Sequence, residues 1–279
     1  VHPEFNAKVD RNALTLLLRH CYIPAPYSIY QGIQKLMPGH FVQIPLHGDV
    51  TRSKDAQPEA YWQLNHVVEE GLANPFTGTP DEAVDLVESR LSASVGDQML
   101  SDVSLGAFLS GGVDSSTVVA LMQAQSERQV RTFTIGFDQG DYNEATHAKA
   151  VAEHLGTQHT ELYVRPEDAL AVIPKLPEMY CEPFSDSSQV PTFLVSQMAK
   201  QHVTVALSGD GGDELFGGYN RYMAARKVWG PVQRLPVFAR RAAAGLLRSV
   251  SPATWDKLFD WARPVLPTRL QLSIPGEKA

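Results

Sequence analysis

Two cysteines in 279 residues, Cys21 and Cys181, are too few for a disulfide framework. No apolar run approaches the ~18 residues that span a bilayer, and no secretory signal pattern is present. The expectation is a cytoplasmic protein with no membrane partner. The nine histidines show no spacing that would hold zinc. There is no G-x-x-x-x-G-K followed by Ser or Thr, and no G-x-G-x-x-G after a strand. A kinase-like P-loop and a dinucleotide fingerprint are therefore both disfavoured. The first residue is Val1 rather than methionine, so the chain is expected to be an excerpt or a processed product.

The remaining composition is ordinary for a globular protein, with 43% hydrophobic and 20% charged residues. Charge is uneven along the chain. Residues 1–220 carry 13 Lys/Arg against 28 Asp/Glu, a balance of −15; residues 221–279 carry 11 against 3, a balance of +8. A basic tail can contact nucleic acid. A solvated helical face, or a face packed on an acidic domain, explains it as well and is the reading adopted, so no nucleic-acid partner is expected.

Along the chain, a helix is predicted from Asn12 to His20, and a Pro38-Gly39 turn leads into an alternating strand, His40–Ile44. The first fifty residues hold too little apolar content for a core of their own. Residues 47–79 are rich in Gly, Pro and Asn and read as a linker. Thr79, Pro80 and Glu82 then give a capping box at a helix start. Ala83, Leu86, Val87, Leu91 and Val95 follow on one helical face. Strands at Val103–Leu109, Val130–Phe137, Thr160–Val164 and Val203–Leu207 alternate with helices near 114–125, 143–155, 167–180 and 190–201. Short apolar strands alternating with helices predict an α/β fold with a parallel sheet, which binds ligands beyond the carboxyl ends of its strands.

Two strand-to-helix loops lie on that side. Ser110-Gly-Gly-Val-Asp-Ser-Ser116 offers backbone N–H groups freed by Gly111 and Gly112, a helix N-terminus, and the hydroxyls of Ser110, Ser115 and Ser116. These features together make an anion cradle the size of a pyrophosphate. Asp114 would repel phosphate unless a cation lay between them, which implies Mg²⁺. A Gly-rich turn with a Ser/Asp cap would explain any single residue. The six fixed positions together arise by coincidence at a rate on the order of one in ten thousand. The second loop, Ser208-Gly-Asp-Gly-Gly-Asp-Glu-Leu-Phe-Gly-Gly-Tyr219, sets Asp210, Asp213 and Glu214 among glycines. Three carboxylates so close repel one another unless a cation or a basic partner is present. An exposed acidic turn is the plainer alternative.

The first loop resembles the PP-loop of the ATP pyrophosphatase superfamily, a parallel-sheet α/β domain of the adenine nucleotide alpha hydrolase-like kind. Its pairing with the second loop resembles glutamine-hydrolysing asparagine synthetases, as do Thr132–Phe137, Tyr142–Ala145 and His154–Gly156. The stretch from Tyr22-Ile-Pro through Ile33 to Pro38-Gly39-His40 is similar to the end of that family's N-terminal-nucleophile glutaminase domain. The division implied is a glutaminase remnant and linker over 1–60, an ATP-binding synthetase domain over 61–230, and a helical continuation over 231–279.

The resemblance implies a ligase that activates a carboxylic acid, aspartate or another, as an acyl-adenylate. It releases pyrophosphate and transfers glutamine-derived ammonia to give asparagine and AMP. ATP and Mg²⁺ are the implied cofactors. Ser110, Gly111, Gly112, Asp114, Ser115 and Ser116 would hold the phosphates. Leu109, Ile135, Gly136, Ser208 and Gly209 would line the adenosine pocket. Asp114 and Asp213 would hold Mg²⁺, and Asp210 would be the catalytic carboxylate. A glutaminase domain is expected in the parent chain, and a homodimer is the assembly expected.

Three departures bear on this. Asp210 stands where glutamate is frequent. Asp186, Ser187 and Ser188 occupy a stretch where some members carry Thr and Arg, which opens the acid to a sugar acid or an intramolecular lactam precursor. The family's phosphate-steadying lysine belongs beyond Ala279, and its N-terminal cysteine has no match in Cys21. The chain is therefore expected to be truncated at both ends and inactive alone. A nucleotide-binding module without catalysis is the alternative from another class.

Overall fold

The computed structural model describes residues 5, 7–44, 56–137, 144–251 and 254–255. The chain divides into two units, Val1–Asp210 and Gly211–Ala279.

In the first unit, β3 (Leu105–Phe108), β4 (Arg131–Phe137), β5 (Gln158–Val164) and β6 (Val205–Leu207) form one parallel sheet. Its order is β5-β4-β3-β6. Both faces are covered, as the unbroken apolar runs predict. On one face Ala107 and Leu109 pack with Val119 and Met122 of α4 (Val113–Ala124), Ala148 and Ala152 of α5 (Ala145–Leu155), and Val95 of α3 (Pro80–Met99). On the other face Phe133 packs with Val195, Met198 and Ala199 of α8 (Gln189–Ala199). Phe133 is among the largest fully buried side chains, and truncating such a residue to alanine costs about 3–5 kcal/mol.

The strand order places the functional loops. From β3 the chain moves outward to β4 and β5, then returns through α6 (Pro166–Val172), α7 (Leu176–Met179) and α8 to add β6 on the other side of β3. The direction of building reverses between β3 and β6, and the crevice beyond such a reversal is where parallel α/β sheets bind ligands. Helix α8 runs antiparallel to β4. Val190, Phe193 and Leu194 pack with Ile135, Phe137 and Val164, while Val195, Met198 and Ala199 pack with Phe133 and Val203. The start of α8 therefore lies at the carboxyl edge of the sheet.

The capping box stands as expected: Thr79 N–H donates to Glu82 Oε2 at 2.7 Å, and Glu82 N–H donates to Thr79 Oγ1 at 3.3 Å. The apolar face expected on α3 is buried only at Val95, and Leu86 and Val87 are exposed. Contact with α4 involves the later part of the helix, where Gln125 Nε2 donates to the Ser92 carbonyl. The expected linker over 47–79 contains a strand, β2 (Glu59–Ala60), and a helix, α2 (Leu64–Ala73); residues 47–55 lie outside the described residues. Leu64, Val67, Val68 and Leu72 recur at helical spacing there, a period masked by the surrounding Gly, Pro and Asn. The strand expected over 40–44 is confined to β1 (His40–Phe41), because only those two residues meet a partner, β2. Near the N-terminus, α1 (Arg11–His20) contributes Ala13 to a small cluster with Ile23 and Ile29, separate from the sheet's clusters.

In the second unit, α9 (Gly212–Phe216), α10 (Asn220–Gln233) and α11 (Val237–Ser249) bury none of their described residues. The basic tail is helical over α10 and α11, and its part over 256–279 lies outside the described residues. Among the described residues no helix is long and apolar enough to cross a membrane.

Candidate active site

The loop after β3 is shaped by a glycine that no other residue could replace without strain. Gly111 sits at φ +79, and a Cβ there would meet the Ala148 nitrogen at 2.6 Å and His147 Cβ at 2.7 Å. Its hydroxyls divide into two kinds. Ser110 and Ser115 Oγ hydrogen-bond each other at 2.9 Å, Ser110 N–H donates to Ser115 Oγ at 3.2 Å, and Gly112 N–H donates to Ser110 Oγ at 3.2 Å. These two serines tie the loop to the first turn of α4. Ser116 Oγ is buried and has no hydrogen-bond partner among the described residues. Buried polar atoms without a partner are uncommon in native folds and call for an explanation, a group bound from outside being one. In sequence the three hydroxyls are equivalent; the fold separates two that shape the loop from one left free. The N-terminal N–H groups of α4 add donors and the positive end of its dipole.

Neighbouring strands bring the other site residues to the same edge. Leu109 is buried, and its N–H donates to the Phe133 carbonyl at 2.9 Å. Ile135 and Gly136 lie near the carboxyl end of β4, beyond the Phe108–Phe133 register point. Ser208 and Gly209 follow β6, which pairs β3 directly. A Cβ on Gly209 would lie 2.6 Å from the Ser115 nitrogen, so the start of the second loop rests against the start of α4. The side chains of Asp114 and Asp210 belong to this unit; Ser208 Oγ donates to Asp210 Oδ2 at 3.0 Å.

The remaining carboxylates of the second loop belong to the second unit. Tyr219 Oη donates to Glu214 Oε1 at 2.6 Å, and the Arg221 guanidinium lies 4.1 Å from the Tyr219 ring centroid. The Tyr219 bond holds the Glu214 carboxyl below its usual range, and the same bond pushes the tyrosine up to about 12. A hydrogen bond thus relieves the repulsion expected at Glu214. Asp213 is half-buried at the start of α9, and Gly218 N–H donates to its carbonyl at 3.0 Å. No set of three or more His, Cys, Asp and Glu side chains gathers to hold a metal among the described residues.

A parallel sheet with a glycine-turned anion cradle at its point of reversal defines the class of nucleotide-binding α/β domains. Comparison with known proteins narrows that class. The Asparagine synthase family matches residues 86–273, and the chain belongs to that family. It is 36% identical over 249 residues to "Putative asparagine synthetase (glutamine-hydrolyzing) 2" of Methanocaldococcus jannaschii, covering 85% of this chain and 44% of that protein. It is 33% identical over 229 residues to "Asparagine synthetase (glutamine-hydrolyzing) 1" of Bacillus subtilis, covering 82% of this chain and 34% of that one. The chain therefore spans less than half the length of these relatives. The solved NH3-dependent NAD synthetase from Campylobacter jejuni overlaps 49% of this chain and 60% of its own, at 12% identity and TM-score 0.35.

Proposed function

We propose that this chain carries the ATP-dependent amide-forming part of a glutamine-dependent asparagine synthetase. The observation that supports this most is the cradle from Ser110 to Ser116, with its left-handed Gly111, its unpartnered Ser116 hydroxyl and Gly209 against it. In this reading Ser110–Ser116 holds the pyrophosphate end of ATP, and Leu109, Ile135, Gly136, Ser208 and Gly209 line the adenosine pocket. The acid's carboxylate oxygen attacks the α-phosphorus, and the bond to the leaving pyrophosphate breaks. Ammonia then adds to the acyl carbon and AMP leaves, so that a C–N bond replaces the C–O bond. Loop geometry serves mainly to align the reactants and place donors where negative charge builds up.

Asp210 is the carboxylate assigned to the reaction centre, where it can take up a proton from the attacking ammonia. Asp114 is the carboxylate of this unit proposed to hold Mg²⁺, which suits hard oxygen donors and, when bound, would neutralise charge on the phosphates. The half-buried Asp114, in the first turn of α4 beside the cradle, fits that role. Residues 1–60 are proposed as the end of a glutaminase domain that supplies ammonia. Aspartate is the proposed acid. The test is pyrophosphate release and amide formation by the whole gene product, with ATP, ammonium and either aspartate or a sugar acid. Aspartate-dependent release of both products is expected; release with the sugar acid alone would reassign the substrate, and release with neither would overturn the reading.

A further inference from the structure

The segment 21–35 is fastened to the loop before α8, far from it in sequence. Glu182 accepts a hydrogen bond from Ile29 N–H at 2.7 Å, across 153 residues of chain, and forms an ion pair with Lys35. Lys35 Nζ also donates to the Ile23 carbonyl at 2.6 Å, and Ser185 N–H donates to the Cys21 carbonyl at 2.7 Å. Burial works to raise the Glu182 carboxyl, but the bonds from Lys35, Ile29 and Ser28 outweigh it and hold the group below its usual range. Its side chain is 15% exposed, where charge-assisted bonds are stronger than on an open surface.

The fastened loop has its own internal bonds. The Tyr180 and Phe184 rings meet edge to face at 4.7 Å, and Gln189 Nε2 donates to the carbonyls of Phe184 and Asp186 at 3.1 and 2.9 Å. It leads into the start of α8, and so sits at the carboxyl edge of the sheet, on the side where the cradle opens.

We propose that Glu182 is a positioning residue that straps segment 21–35 to loop 181–188, so that this segment sets how well the acid substrate is held. The proposal rests on the amide-forming reading above. The polar strap joins two pieces with separate apolar clusters, the small one around Ile23 and Ile29 and the larger ones of the sheet. Releasing it leaves both cores intact while freeing the loop, and a displacement near 1 Å at a reaction site can change turnover by up to about 10²-fold. ATP, held by a different loop, is unaffected.

The experiment compares Glu182→Gln, Lys35→Met and the charge-preserving Lys35→Arg in the whole gene product. The readouts are KM for aspartate, KM for ATP, and amide hydrogen exchange of residues 181–189. Glu182→Gln and Lys35→Met are expected to raise the aspartate KM roughly tenfold or more with the ATP KM unchanged, and Lys35→Arg to restore it. Exchange over 181–189 should quicken in the first two variants and not in the third. Unchanged aspartate KM and exchange in folded Glu182→Gln, or equal losses in both KM values, would overturn the strap. If the parent makes no amide, the functional reading fails, and the exchange comparison alone decides the strap.

Discussion

The two glycine loops that follow β3 and β6 in the chain resemble each other in composition and differ in what holds them. In Ser110–Ser116 the backbone is fixed by one glycine at φ +79 and by serine hydroxyls that bond within the loop. In Ser208–Tyr219 two side-chain hydrogen bonds go to carboxylates: Ser208 to Asp210, and Tyr219 to Glu214. The first loop, in the proposed reading, receives an anion; the second holds anionic side chains in place. Steric fit governs one, and hydrogen bonding to charge governs the other, so substitutions in the two should fail in different ways.

The largest effect is expected at Gly111. Gly111→Ala puts a Cβ into backbone atoms of α5 at a left-handed φ, costing on the order of 1–3 kcal/mol in strain. Denaturant unfolding should show that loss and calorimetry the loss of ATP binding; a stable variant that binds ATP like the parent would break the steric half of the comparison. A smaller effect is expected at Ser115, which is buried and bonded to both Ser110 N–H and Ser110 Oγ. Ser115→Ala should lower stability by about 0.5–1.5 kcal/mol in denaturant unfolding, the net worth of a typical intramolecular hydrogen bond. Smallest is Tyr219→Phe, which removes the bond that lowers the Glu214 carboxyl. Carboxyl titration by NMR should show Glu214 returning toward its ordinary value of 4.5, with stability barely changed; an unmoved titration would show that the bond does not govern this carboxylate.

The contrast also explains what could be read from the chain alone. The β3–loop–α4 unit and the Thr79–Glu82 cap depend on neighbours a few residues apart, and their signals are local. The parallel sheet followed from short apolar strands between helices. Relief at Glu214 depends on the phenol of Tyr219, five residues on, a donor that no charge count along the chain reveals. Helix α2 hid its period among turn-forming residues, and the upper face of α3 carries apolar residues that meet no core. The distinction between Ser116 and its two neighbours follows from burial, which no spacing rule encodes. The Glu182 strap joins residues 153 apart, beyond any local pattern.

Acid should also separate the strap from the cradle. The Glu182 carboxyl is held below 4.5, so its contribution is present above that value and is lost as pH falls through the folded-state value. Exchange over 181–189 should therefore quicken on acidification below pH 4.5 more than exchange over 110–116, after correction for intrinsic rates.

The nucleotide cradle is tested most directly by calorimetric titration of ATP, with and without Mg²⁺, into the parent chain and Asp114→Ala. The parent should bind ATP more tightly with Mg²⁺ present, and the variant should lose that dependence while keeping its fold by circular dichroism. Equal Mg²⁺-dependent binding by both would remove Asp114 from the metal, and no binding of ATP by a folded parent chain would contradict the assignment of Ser110–Ser116 as the phosphate site.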